Sequence, residues 1–249
     1  MAISSKGVSS VTPSSRRVVG RPSSLIKAAR AFTPALASSF SLLSSAGNQE
    51  SDQDTAASAA DTYTGQESKT LIVYFSVPED VNTNGVDAIA GASVVVSDGE
   101  VLGNTEYVAR IIQQTVGGNL FRIETEDTYP LDHDPLVDQA AQEQEDAVRP
   151  QLASQIENPD QYDTILLGYP NWWADMPMPL YSFLEEYDFS GKTIIPFITH
   201  GGSRASQTIT TISKLQPNAS VNSNALVLSR NDVAKSGSDV IAWASGLGI

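Results

Sequence analysis

Three short stretches hold residue types that could do chemistry. The first is split: Ser76 ends an apolar run, and Gly103-Asn104-Thr105 opens a helical pattern after 26 intervening residues. The first backbone N–H groups of a helix have no intrahelical partner, so hydroxyl and amide donors placed there suit a phosphate. No lysine or arginine stands close by in sequence, which fits a single phosphate monoester better than a triphosphate. Read alone, the same residues also describe an ordinary capped helix. The second stretch is Gly168-Tyr169-Pro170-Asn171-Trp172-Trp173, with Met176-Pro177-Met178-Pro179 behind it, and the third is Thr199-His200-Gly201-Gly202-Ser203. A Walker A loop is absent, and so is G-x-G-x-x-G.

Other chemistries are closed off. The chain has no cysteine, which excludes disulfides, thiolate nucleophiles and cysteine-ligated zinc or iron–sulfur clusters. His133 and His200 are its only histidines, too few for a histidine-rich metal site. No residue presents itself as a catalytic acid or base, and no metal is expected. The 249 residues carry 29 acidic against 15 basic side chains, a formal charge of −14. Such a chain is a poor nucleic-acid binder, because phosphates must be neutralised by lysine and arginine. No apolar run reaches the roughly 18–20 residues of a membrane span.

The three stretches each follow a strand pattern. Leu71 to Phe75 is a continuous apolar run, as expected of a strand covered on both faces. A helix follows Gly103, with Asn104 or Thr105 as its cap, a stripe of Val108, Ile111, Ile112, Thr115 and Val116, and Gly117-Gly118 as its stop. Strands are predicted at 120–124, 164–168, 193–199 and 225–228. Helical stripes lie between and after them at Leu180, Phe183, Leu184 and Tyr187, at Ala205, Ile209 and Ile212, and at Val240, Ile241, Ala244 and Leu247. Strands alternating with helices imply right-handed βαβ units, an α/β fold with a parallel sheet and helices on both faces. Ligands of such sheets bind at the carboxyl ends of the strands, near the switch point of strand order.

The chain changes character near residue 48. Residues 1–48 hold six basic residues (Lys6, Arg16, Arg17, Arg21, Lys27, Arg30) and no acid, leaving nine bases against all 29 acids beyond them. This asymmetry reads as a targeting segment. Arg16-Arg17 followed by the apolar stretch 31–43 and Ser44-Ser45-Ala46 resembles a degenerate twin-arginine export signal, placing the protein in the cell envelope. An organellar transit peptide and a plain disordered tail on a cytoplasmic protein are the other readings. Residues 49–68 are polar and read as a disordered linker.

In register, the three stretches resemble the cofactor loops of flavodoxins. Tyr74-Phe75-Ser76 and Gly103-Asn104-Thr105 resemble the phosphate loop, split by an insertion. Gly168 to Trp173 with the Met-Pro pairs resembles a flavin-ring loop of a bacterial flavodoxin branch, and Thr199 to Ser203 its third flavin loop. The resemblance covers residues 69–249. It implies a flavodoxin-like three-layer sandwich, with a five-stranded parallel sheet of order 2-1-3-4-5, and a bound FMN. Ser76, Asn104 and Thr105 would then hold the phosphate, with Gly103 allowing close backbone approach. Tyr169, Pro170, Asn171, Trp172 and Trp173 would line the ring; Thr199, His200, Gly201, Gly202 and Ser203 would meet its polar edge. Adjacent tryptophans on an extended strand point to opposite sides, so one is expected at the flavin and the other elsewhere. Packing against a neighbouring helix is the plain alternative for both. His200 could contact flavin, contact substrate or fix the loop. His133 is expected to be merely exposed.

The insertion, 77–102, departs from the family pattern. Val94 to Leu102 reads as a β-hairpin turning at Asp98-Gly99. It could shape a substrate pocket or a docking surface, or be a tolerated surface excursion, and it leaves open whether Ser76 reaches Asn104. Residues 124–160 carry eleven acids and one base, Arg149, with an acidic helix expected over Leu136 to Ala147. This face could steer a basic redox partner or simply be solvated. The functional expectation is an FMN electron carrier between redox partner proteins. The alternative is an FMN-dependent NAD(P)H:quinone-type reductase with a small-molecule acceptor, and a flavin-free interaction module is the third reading.

Overall fold

The computed structural model describes residues 68–249. The tail at 1–48 and the linker, apart from Ser68, lie outside the described residues.

The central strand is β1 (Thr70–Tyr74), buried along its whole length. It is flanked by β5 (Asn119–Arg122) and β6 (Thr164–Asn171), both parallel to it. Beyond β6 lies β7 (Thr193–His200), paired in parallel over eight residues from Thr164↔Thr193 to Asn171↔His200. The far edge is shared by two short strands. β8 (Ser220–Val221) pairs with the start of β7 and β9 (Leu226–Ser229) with its end. The five principal strands thus run in the order 2-1-3-4-5, as the resemblance implied. The predicted last strand is found, but its edge is broken. The Asn222 N–H still donates to the Ile194 carbonyl, but Asn222 Oδ1 accepts from the Asn224 N–H at 2.8 Å, and this side-chain turn lifts 223–225 out of the ladder.

Alternation along β1 builds both cores. Leu71 and Val73 face one layer, with α2 (His133–Glu145), α3 (Met178–Glu186) and α4 (Thr208–Leu215) supplying Leu136, Phe183 and Ile212. Ile72 and Tyr74 face the other, where α1 (Asn104–Val116) and α5 (Gly237–Ser245) supply Ile112 and Val240. The acidic helix starts three residues earlier than expected. In the last helix Val240 and Ala244 are buried, but Ile241 is 49% exposed and Trp243 packs in its place.

The insertion folds as a separate antiparallel sheet of β2 (Ala88–Ile89), β3 (Val94–Ser97) and β4 (Glu100–Gly103). The expected hairpin is present. Asp98 and Gly99 have φ of 52° and 82°, the left-handed pair that a two-residue hairpin turn requires. Val94 pairs with Gly103, and the Asn104 N–H donates to the Ser93 carbonyl at 2.8 Å. The insertion therefore delivers its last residue straight into α1. A Cβ on Gly103 would overlap the Ser76 hydroxyl, so the two ends of the split loop touch. The helix begins at Asn104 with Gly103 at the cap position and no side-chain cap. Neither Asn104 nor Thr105 caps it, which corrects the expectation and leaves the Asn104 side chain available.

Candidate functional site

The site forms where β1, β6 and β7 end. At one corner Ser76, Asn104, Thr105 and Thr199 are all buried. The Thr105 and Thr199 hydroxyls lie 2.9 Å apart and tie the start of α1 to the end of β7. Both polar atoms of the Asn104 amide are buried with no hydrogen-bond partner among the described residues. A buried unsatisfied amide costs about 1–3 kcal/mol, so its persistence points to a ligand that satisfies it. The chemistry of the corner is that of neutral donors around a helix N-terminus, which suits an anionic oxygen.

The carboxylates that would oppose an anion at the corner are both paired, and Glu79, which lines its hollow, lies 2.9 Å from His133 Nδ1. Glu106, buried in the first turn of α1, is the other. Arg110 holds it at 2.7 Å and Arg122 lies 3.7 Å from its other oxygen. Arg122 also donates to the Ser76 carbonyl at 3.1 Å, fixing the loop. Sequence proximity could not show this arginine, because β5 brings it across from 46 residues away.

From that corner a cleft of about 390 Å³ opens between the two remaining loops. Pro170, Asn171, Trp172 and Trp173 line one side; Thr199, His200, Gly201 and Ser203 line the other. Asn171 joins the loops, donating from Nδ2 to the Arg204 carbonyl at 2.9 Å and to the Ser206 hydroxyl at 3.2 Å. Its Oδ1 is a third buried atom at the site without a partner among the described residues. Trp173, Ala174, Arg204 and Ser206 all have φ between 49° and 62°. Left-handed backbone at non-glycine residues costs of order 1 kcal/mol or more each and collects where structure over-determines a functional loop.

Both tryptophans border the cleft, contrary to the expected division. The chain does not continue extended through them. Trp172 and Asp175 exchange backbone hydrogen bonds at 2.9 Å across a tight turn, so strand alternation does not apply. Trp172 is braced edge-on by Phe75 and Tyr129, with ring centroids 5.5 and 5.7 Å away. Trp173 is 55% exposed, and its indole N–H donates to the Val137 carbonyl of α2 at 3.2 Å.

Two residues expected at the ring lie elsewhere. Tyr169 points into the core, fully buried, with its hydroxyl donating to Thr208 Oγ1 at 2.8 Å. Burial raises its pKa above the usual tyrosine value. The register of β6 puts its side chain on the α4 side of the sheet, beneath the cleft. Gly202 does not border the cleft either, and its N–H donates to His200 Nδ1 at 3.0 Å.

That bond assigns His200 a loop-fixing role. Nδ1 accepts, so the neutral ring carries its proton on Nε2. Burial, then the Arg204 charge, lowers the His200 pKa below its ordinary value of 6.5, with Asp232 acting weakly in the opposite sense. A histidine with a depressed folded pKa takes up its proton later than the unfolded chain does. Stability is therefore expected to fall as pH drops from about 6.5 toward the folded pKa. Subtracting the unfolding free energies of His200→Ala from those of the wild type across pH 4.5–8 isolates this slope. A flat difference would remove the role.

One wall of the cleft carries no signal in the sequence. Glu79 and Ser93 come from the insertion, His133, Leu136 and Val137 from α2, and Arg230 from the end of β9. His133 is exposed over half its surface, as expected, but its Nδ1 lies 2.9 Å from Oε2 of the nearly buried Glu79. Nothing in the sequence around Glu79 signals this, since its partner is 54 residues away. Among the described residues, no group of His, Cys, Asp and Glu could hold a metal ion, and no helix is long and apolar enough to cross a membrane.

Comparison with known proteins matches these features. The family profile described as Flavodoxin matches residues 93–244. No curated protein matches the chain. Among solved structures, a flavoprotein candidate from Bacteroides eggerthii is 27% identical with a TM-score of 0.50, covering 70% of this chain and 98% of that one. A second, from Bacteroides uniformis, is 25% identical with a TM-score of 0.48, covering 68% and 97%. A flavoprotein of Lactobacillus acidophilus, solved in complex with FMN, is 19% identical with a TM-score of 0.46, covering 68% and 98%.

Proposed function

The chain belongs to the flavodoxin family, whose cofactor is FMN, and from that premise we propose that it transfers electrons between redox partners. The observation that carries the reading is the buried, unpartnered Asn104 amide beside Ser76 at the start of α1. It is a phosphate cradle at one end of a cleft walled by aromatic rings. When bound, FMN supplies one- and two-electron redox chemistry. The protein's part is to bind, orient and tune.

Ser76, Asn104 and Thr105 would donate to the phosphate, with Arg110 and Arg122 keeping Glu106 from opposing it. Pro170 and Trp172 would lie against the ring and exclude water from it. The loop from Thr199 to Ser203 would meet the ring's polar edge, held in shape by the His200–Gly202 bond. No acid–base group projects from the two ring loops apart from His200, whose Nδ1 is already occupied. This favours a carrier that does no bond chemistry on a substrate. A redox partner would dock over the acidic α2 face next to the exposed Trp173.

One observation favours a second reading, an FMN-dependent reductase of a quinone-type acceptor. The insertion and α2 extend the cleft into a walled pocket with Glu79 and His133 at its side. Stepwise anaerobic reduction of the FMN-loaded protein separates the two. A stable one-electron stage in the visible spectrum supports the carrier. Direct two-electron reduction, driven rapidly by NADPH or NADH, supports the reductase. A protein that stays colourless with added FMN refutes both. Residues 1–48 are proposed to address the chain for export. Retention of the native N-terminus without processing near Ala46 would refute that.

A further inference from the structure

Arg230 stands apart from most arginines of the described chain. Arg110, Arg122 and Arg149 each have a carboxylate within 4.0 Å. Arg230 has none among the described residues, although the chain carries 29 acids. It is half-buried and lines the cleft beside His200, Gly201 and Ser203. Its backbone N–H donates to the His200 carbonyl at 2.8 Å, so the ladder of β7 and β9 holds its root in place. Its guanidinium lies against Gly201, where a Cβ would come within 3.3 Å of Cζ. Its one hydrogen bond is a long one, 3.4 Å from Nη1 to the Gly91 carbonyl of the insertion. The remaining donors of the fork are free of protein partners among the described residues. Ser93, held at φ 55° by the same segment of the insertion, borders the cleft as well.

The phosphate corner is a different place. Its hollow adjoins the cleft and shares Glu79, Ser93, Pro170, Trp172 and Thr199 with it, but Asn104 and Thr105 line only the corner and Arg230 only the cleft. Arg230 thus stands at the end of the cleft away from the Asn104 and Thr105 cradle. The carboxylate in the cleft, Glu79, is already paired with His133. A chain this acidic repels anions from most of its surface, so a guanidinium left unpaired inside its cleft is selective for them.

We propose that Arg230 forms an anion subsite in the cleft, which takes the carboxylate, sulfonate or phosphate group of a flat aromatic electron-exchange partner. With Trp172 against the flavin, the exposed Trp173 receives the partner's ring, and the fork of Arg230 receives its charge. The subsite rests on the electron-transfer reading for its purpose but not for its existence.

The test uses the full chain, with and without FMN, as wild type, Arg230→Gln and Arg230→Lys. Two probes are compared: 1,4-naphthoquinone-2-sulfonate and uncharged 2-methyl-1,4-naphthoquinone. In a Trp243→Phe background only the two cleft tryptophans emit, so quenching of their fluorescence reports binding directly. The wild type is expected to prefer the sulfonate by about ten- to hundredfold, as a charge-assisted hydrogen bond implies. Arg230→Gln is expected to lose that preference with the uncharged affinity unchanged, and Arg230→Lys to keep much of it. An unchanged preference in Arg230→Gln overturns the proposal. So does a loss of FMN affinity in that variant with the probe ratio intact, which would assign Arg230 to the flavin. A chain that takes up no FMN refutes the electron-transfer reading instead, and the fluorescence comparison still decides the subsite.

Discussion

Asn104→Ala is expected to weaken FMN binding while leaving the empty protein at least as stable as before. The two effects have one cause. In the empty protein both atoms of the amide are buried and unsatisfied, which costs about 1–3 kcal/mol. Alanine removes that cost, and the small cavity it leaves offsets part of the gain. With FMN present, the wild-type amide donates to a charged phosphate oxygen, and the variant forfeits a contribution of about 1.5–3 kcal/mol, roughly ten- to hundredfold in affinity. Thermal unfolding with and without FMN reads both at once. The variant should unfold no lower than wild type when empty, and gain much less on adding FMN. Thr105→Ala provides the contrast. Its hydroxyl is already engaged with Thr199, so that variant should lose stability when empty and, short of one phosphate donor, also gain less on adding FMN. An Asn104→Ala protein that binds FMN like wild type would move the phosphate site elsewhere.

The largest loss of folding stability is expected from Gly168→Ala. Gly168 lies in β6, directly opposite Phe197 of β7. A Cβ there would overlap the Phe197 ring, which is fully buried against α1 and α5. The ring has no room to withdraw, so the strands must part or the ring must leave its rotamer. Overpacking of this kind costs typically about 1–3 kcal/mol, and a rigid aromatic neighbour places this site at the upper end. Gly168 also accepts the Phe75 N–H at 3.0 Å and immediately precedes the loop from Pro170 to Trp173. FMN affinity should therefore fall together with stability. Phe197→Leu frees the space the methyl needs. The double variant is expected to be more stable than the sum of the single effects allows, a coupling measurable by chemical denaturation. Strict additivity would show that the methyl and the ring do not meet.

Much of the architecture is legible in the sequence because strands buried on both faces are continuous apolar runs and amphipathic helices repeat every 3–4 residues. Leu71 to Phe75, the Val108–Ile112 stripe and the Phe183–Leu184 stripe each lie where those patterns put them, within a residue or so. Asp98-Gly99 announces its turn because few other pairs tolerate two left-handed residues in succession. The broken edge between β8 and β9 was not legible, since an asparagine that turns its own backbone leaves the apolar pattern around it unaltered.

The site divides along the same line. Local composition determined that three loops at strand ends carry hydroxyls, an amide, aromatics and glycines in cofactor-loop order, and this was enough to point to the family. Only the tertiary structure decided which of them face the cleft. Tyr169 went to the core because the pleat of β6 sends alternate residues to opposite layers, and Trp172 and Trp173 share a side because a tight turn replaces the strand there. Arg122, Glu79, His133 and Arg230 were invisible as site residues. An ion pair or a cleft wall is a relation between elements far apart in sequence, and no pattern within either element records where the other will lie.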